Sequence, residues 1–195
     1  MTERLERQIA FLAEIDRLKG VLRRSYLIDG SRRENSAEHS WHLATAVIIL
    51  GEQADPRVDL LRAVKMALVH DVVEIDAGDT FLYDEAASVQ KEELERKAAE
   101  RLFSLLPDDE AEALKSLWEE FEAGETPTAR FVRGLDRLLP LLHNYYTQGR
   151  TWREHNIRLP QVLKMNARIE EASPELWCLA QALIQEAVDK GFLAT

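Results

Sequence analysis

Cysteine is nearly absent from this chain. Cys178 stands alone in 195 residues, which excludes an intrachain disulfide and any zinc site built from paired thiolates. Such usage fits a reducing compartment, and a cytoplasmic protein is expected. Long apolar runs are missing too. None approaches the ~20 residues that a membrane-spanning helix needs. The opening Met1-Thr2-Glu3-Arg4-Leu5-Glu6-Arg7 is too charged for a secretory leader, so no membrane partner is expected. Positive charge is in deficit. Against 35 Asp and Glu stand 25 Lys and Arg, for a formal net charge of -10. A surface that acidic repels polyphosphate backbones and argues against a nucleic acid polymer as partner. A small phosphate ester stays open, because a bound cation and a few arginines invert the sign locally.

The apolar–polar alternation of strands is not evident either. What is present is helical periodicity. Leu5, Ile9, Leu12, Ile15 and Leu18 recur at spacings of three and four, which predicts an amphipathic helix over residues 4–19. Asp29-Gly30 and its Ser, Arg and Asn neighbours predict a loop over 26–36. A helix is expected from Ser36 to Leu50, and another capped by Asp59 and running into His70-Asp71. Residues 75–87 look irregular. Helices follow at about 88–105, 108–122 and 129–147, one starts at Pro160, and Ser173-Pro174-Glu175 opens the last. With 46% hydrophobic residues and no linker or repeat, the chain is predicted to be one all-α domain over residues 1–195, a helical bundle.

Within it, Met66-Ala67-Leu68-Val69-His70-Asp71-Val72-Val73-Glu74 sets an imidazole and a carboxylate at the end of an apolar run. A carboxylate buried there costs several kcal/mol, roughly, unless a cation meets it. His39 and Asp136, on separate predicted helices, complete a set of four candidate metal ligands with His70 and Asp71, as bundles build core sites from facing helices. Two imidazoles and two carboxylates suit Mn, Fe, Co, Zn or Ni without choosing among them. An ion so held leaves positions for water and substrate and makes the water nucleophilic. If the helix continues past His70, Glu74 stands one turn on and can take the water's proton. Gly78 permits a turn that brings Asp79 back toward the site. Arg24, Arg32 and Arg33 form a basic cluster ahead of His39, and guanidinium is the preferred fork for phosphate oxygens.

These residues carry a resemblance. His39…His70-Asp71…Asp136 matches the H…HD…D pattern of the HD-domain phosphohydrolases. Glu34-Asn35-Ser36-Ala37-Glu38-His39-Ser40 is similar to the E-N-x-x-E-H-S segment of their 5′-deoxynucleotidase branch. His70-Asp71-Val72-Val73-Glu74-Ile75-Asp76-Ala77-Gly78-Asp79 looks like that branch's H-D-x-x-E-x-x-x-G-D. The likeness covers about residues 9–145, with C-terminal helices at about 158–190 outside it. It implies an all-α bundle, one divalent metal, a homodimer, and hydrolysis of nucleoside 5′-monophosphates. By position it implies His39, His70, Asp71 and Asp136 as ligands, Glu74 and Asp79 as catalytic, and Arg24 as a phosphate contact.

Blander readings stand beside these. His42, three residues after His39, reads as packing or a supporting contact, and His143 as an ordinary helix residue or a neighbour of the site. His155 reads as exposed. Arg32 and Arg33 read equally well as surface charges, and Glu38 as a first-turn carboxylate. Two other functions remain: hydrolysis of another phosphoester (a nucleoside triphosphate, a cyclic or an alarmone nucleotide), and a metal-binding scaffold without turnover. Glu74 separates the last, since a scaffold has no use for a base beside the ligand.

Overall fold

The computed structural model describes residues 2–83 and 88–195, the backbone alone at 88–90. It is helical almost throughout. α1 (Glu3–Ile15) is capped by Thr2 and passes through a 3-10 turn at Asp16–Gly20. A hairpin follows, β1 (Leu22–Tyr26) paired antiparallel with β2 (Arg33–Asn35) and carrying a register shift between its two pairing points. The composition of this stretch predicts a plain loop from residue 26. The hairpin is too short and too polar to show alternation, and its inward residues are Arg23, Ser25 and Glu34 rather than apolar ones.

The remaining helices are α2 (Ser36–Leu50), α3 (Leu60–Val69), α4 (Glu74–Ala77), α5 (Ser88–Phe103), α6 (Asp108–Ala123), α7 (Pro127–Tyr146), α8 (Arg150–Glu154), α9 (Leu159–Asn166), α10 (Arg168–Ala172) and α11 (Pro174–Asp189). Asp59 and Ser173 cap α3 and α11 as expected, accepting from Arg62 N and Leu176 N. The expected irregular stretch 75–87 contains most of α4, and its residues 84–87 lie outside the described ones.

α7 is the axis of the molecule. Phe131, Leu135, Leu138 and Leu139 on it are buried with Leu43 of α2, Met66 of α3 and Ile169 of α10. Gly134 lets α10 approach, since a Cβ there would lie 2.2 Å from that of Ala172. A second cluster joins Phe11, Leu18, Val72, Leu102 and Phe103, and Val69 and Leu114 touch both. Pro140 sits inside α7, four residues after Asp136. It withholds the N–H that the Asp136 carbonyl would otherwise receive, so the helix is loosened one turn past the candidate ligand. Among the described residues no helix is long and apolar enough to cross a membrane.

Candidate metal centre and active site

The start of α2, the end of α3 and the middle of α7 meet at one point. The start of α2 is fixed by a capping box: Asn35 Oδ1 accepts from Glu38 N at 2.9 Å, and Glu38 Oε2 accepts from Asn35 N at 3.2 Å. That cap aims His39 inward, where it is fully buried, with His70, Asp71 and Asp136 at most 8% exposed. His39 Nε2 lies 2.9 Å from Asp136 Oδ1. His70 Nε2 lies 3.0 Å from Asp71 Oδ1 and 3.8 Å from the same Asp136 oxygen.

The His70 ring is oriented from behind. His70 Nδ1 is 2.9 Å from the Ala67 carbonyl, which assigns the proton to Nδ1 and leaves the Nε2 lone pair facing the carboxylates. Although buried, that Nε2 has no hydrogen-bond partner. His39, His70 and Asp136 each bring one ligand atom within 4.8 Å of the others, a spacing that suits an ion about 2.0–2.2 Å from each, and Asp71 reaches the group through His70. The donor set therefore fits one divalent ion, and its chemistry selects none of Mn, Fe, Co, Zn or Ni.

Burial and Arg23 both disfavour charge on His39, yet its contacts with Asp136 and Glu34 outweigh them and push the imidazole up to about 9. Burial alone would raise Asp136, but His39 and Arg137 hold it well below the usual carboxylate range. The 2.9 Å contact between the two favours a proton on this pair, and metal uptake would compete with it.

Two residues in the cluster carry no role expected from the sequence. Glu34, 2% exposed, places Oε2 3.6 Å from His39 Nδ1 and 3.7 Å from both His143 Nδ1 and Arg23 Nε. Burial works to raise it, but His39 and its other cationic neighbours keep it low and ionised. It faces the back of the ligand ring as a negative charge, farther off than a hydrogen bond. Its place in the Glu34-to-Ser40 motif is the one signal the sequence offers. The second residue is Arg23. Strand alternation turns Leu22 and Arg24 outward and Arg23 inward. Arg23 Nη1 meets Asp71 Oδ2 at 2.7 Å and Asp79 at 3.9 Å, and Nη2 stands 4.0 Å from Asp136.

Of the arginines singled out in the sequence, Arg24 is exposed at the wall of an adjoining cleft. Arg32 pairs with Glu38 at the surface. Arg33 lies over the Tyr26 ring and meets Glu154 at 3.3 Å. The structure brings neither Arg32 nor Arg33 to the cluster, because these local partners hold them away.

Glu74 is 5% exposed and accepts from Ser36 Oγ at 2.6 Å. Burial and the Asp71 charge push its carboxyl up to about 8. The helix does not continue past His70, so Glu74 reaches the site by another route than one further turn. α3 ends at Val69, Glu74 N reaches back to the Asp71 carbonyl at 2.9 Å, and α4 starts afresh. Gly78 then adopts φ 76°, ψ 157°, a region that strongly favours glycine, and Asp79 arrives with its side chain 10% exposed. Burial raises the Asp79 carboxyl against the pull of Arg23. His42 and His143 stack behind Glu34 with centroids 5.7 Å apart. His155 is only partly exposed and packs on Phe81 at 4.5 Å, a contact the polarity of its loop does not suggest.

A polar cavity opens over the cluster, walled by Lys91, Glu95, Glu122, Arg133 and Arg137. The adjoining cleft is walled by Arg24, Phe81, Tyr83, Leu141, Asn144 and Asn166. The two share Arg23, Asp79, Thr80 and Arg137.

Residues 15–177 match the family model described as HD domain. The chain belongs to the HD-domain family. A crystal structure described as a predicted metal-dependent phosphohydrolase from Magnetospirillum magnetotacticum MS-1 is 54% identical, with a TM-score of 0.95 over 98% of this chain and 96% of that one. The curated relative 5′-deoxynucleotidase HDDC2 of Homo sapiens is 32% identical over 130 residues, 66% of this chain and 62% of its own length. The 5′-deoxynucleotidase hdd1 of Schizosaccharomyces pombe is 29% identical, and the match covers 66% of each protein. The chain thus spans somewhat under two thirds of these curated relatives. A conserved hypothetical protein from Pyrococcus furiosus, 23% identical with a TM-score of 0.61, shares the fold. This HD-domain protein is therefore phosphohydrolase-like, and 5′-deoxynucleotidase-like in sequence.

Proposed function

We propose that this HD-domain protein hydrolyses nucleoside 5′-monophosphates, deoxynucleotides included, to nucleoside and phosphate. The observation that carries the reading is Glu74. A buried carboxyl, pushed up to about 8 by burial and by the Asp71 charge, stands beside the converging metal-type group His39, His70 and Asp136, with Asp71 next to His70. That is a general base where a scaffold would need none. His39, His70, Asp71 and Asp136 would hold one divalent ion. When bound, it would supply a water of lowered pKa and would offset charge on the phosphate. Glu74, held by the Ser36 hydroxyl, accepts the proton of the attacking water. Asp79 lies on the same wall and orients that water. Arg23 donates to the phosphate oxygens, the role the family pattern implies for Arg24, while Arg24 stays at the rim of the cleft. The names of the curated relatives support the monophosphate, and the acidic surface disfavours a polymer.

The test is phosphate release from a panel of ribo- and deoxyribonucleotides by protein reconstituted with Mn, Co or Zn. Release of pyrophosphate or triphosphate would move the assignment to another phosphoester. No release from protein shown to contain metal would sink it. Asp71→Ala is expected to lose most of its bound metal under dialysis, because it removes a charged ligand and frees Arg23 into the site. Metal analysis checks this directly.

We also infer a homodimer. Trp41, Ile48 and Ile49 on α2 and Leu61 on α3 are 65–68% exposed, large apolar side chains left to water on two neighbouring helices. A self-complementary contact across a twofold axis would cover them. Light scattering should give twice the 22.4 kDa chain mass, and Ile48→Glu should give the single mass.

A further inference from the structure

The polar cavity over the carboxylates and the adjoining cleft share four wall residues, and two of these carry guanidinium groups. Arg23 comes from β1 and Arg137 from α7, and both belong to the walls of both spaces. The other cations of the cavity are committed elsewhere. Arg133 donates to the Phe121 and Glu122 carbonyls at the end of α6. Lys91 pairs with Glu95 at 3.2 Å. Arg137 differs. Among the described residues its guanidinium meets one charged partner, Asp136 Oδ2 at 3.5 Å, and its side chain is 25% exposed. That separation is too long for a strong hydrogen bond, so the fork of N–H donors faces open space.

A phosphate ester whose phosphoryl group lies against His39, His70, Asp71 and Asp136 while its organic part occupies the cleft must lie against these shared wall residues. We propose that Arg137 is a second phosphate-holding residue, clamping the phosphoryl group from the α7 side while Arg23 holds it from the hairpin. The ligand class is a phosphate monoester dianion, for which two planar forks offer matched bidentate contacts. Because Arg137 follows Asp136 in the chain, the clamp and the metal ligand move as one piece of helix. This inference rests on the phosphatase reading of the site.

The experiment uses the full chain loaded with Mn. Two constants are measured: KM for the best nucleoside monophosphate, and the dissociation constant of inorganic phosphate by calorimetry. For Arg137→Ala both are expected to rise about tenfold or more, the usual loss when a charge-assisted hydrogen bond is removed. Bound metal should stay at one equivalent. Arg137→Lys should recover part of the loss, as a point charge without the fork. If Arg137 merely screens Asp136, Arg137→Ala would leave phosphate binding unchanged and tighten the metal, and the proposal falls. Should the wild type hydrolyse no nucleotide while its phosphate affinity still depends on Arg137, the proposed reaction falls and the clamp stands.

Discussion

Glu74→Gln is expected to lower kcat by about 10²- to 10⁴-fold, the usual range for loss of a general base, while bound metal stays at one ion per chain. Glutamine keeps the shape and can still accept the Ser36 hydroxyl, now at 2.6 Å. It cannot take a proton. The effect should fall on kcat rather than KM, because in the proposed reaction Glu74 meets the attacking water and not the substrate. In the wild type, burial and Asp71 disfavour the ionised carboxylate that the reaction needs. Activity should therefore rise with pH along the acid limb of the profile, and the residual activity of the variant should lose that limb. An ion in the site adds positive charge and moves the limb below the value of about 8. Parallel loss of metal and activity in Glu74→Gln would make the residue a ligand and remove the base from the scheme.

Gly149→Ala is expected to destabilise the fold by about 3 kcal/mol, from two separate effects. Gly149 has φ 73°, a left-handed conformation that costs an L-residue about 1 kcal/mol. A Cβ there would also stand 2.0 Å from the Phe192 carbonyl oxygen and 2.8 Å from its carbon. The obstruction is backbone, so no rotamer relieves it, and overpacking of this kind typically costs about 1–3 kcal/mol. In a chain of this size the sum lowers Tm by roughly 6–12 °C. Gly191→Ala isolates the first effect. Gly191 has φ 72°, and a Cβ there would meet nothing within 4 Å, so the substitution should cost only about 1 kcal/mol. Urea unfolding of the two variants measures the difference. Equal losses would show that the C-terminal turn yields to accommodate the methyl.

Much of this fold is legible in the sequence because helices announce themselves through apolar spacing and caps. Leu5 to Leu18, Asp59 and Ser173 carry those signals without help from distant residues. The four ligand candidates are legible for a related reason: a paired imidazole and carboxylate in apolar surroundings has few uses besides holding a cation. The hairpin is not legible. Its inward positions hold Arg23, Ser25 and Glu34, of which Arg23 and Glu34 serve the cluster, so the usual apolar marker is absent. The same absence makes Arg24 look as good a phosphate contact as Arg23. In a strand, a shift of one residue reverses the facing, and only the pairing with β2 fixes it. The break after Val69 is hidden because no Gly or Pro marks it. The turn is held by the Asp71 carbonyl and Glu74 N–H, a contact with no compositional signature.

Residues 34–39 also bear on how this chain tolerates change. Glu34 backs the ligand ring, Asn35 and Glu38 close the helix cap, Ser36 holds Glu74, and His39 faces Asp136. Folding tasks and chemical tasks are interleaved there at single-residue spacing. A substitution that only weakened the cap would also turn His39, and would register in an assay as a loss of metal rather than of stability. At every one of these positions but Ala37 a substitution is therefore expected to disturb the site along with the local fold.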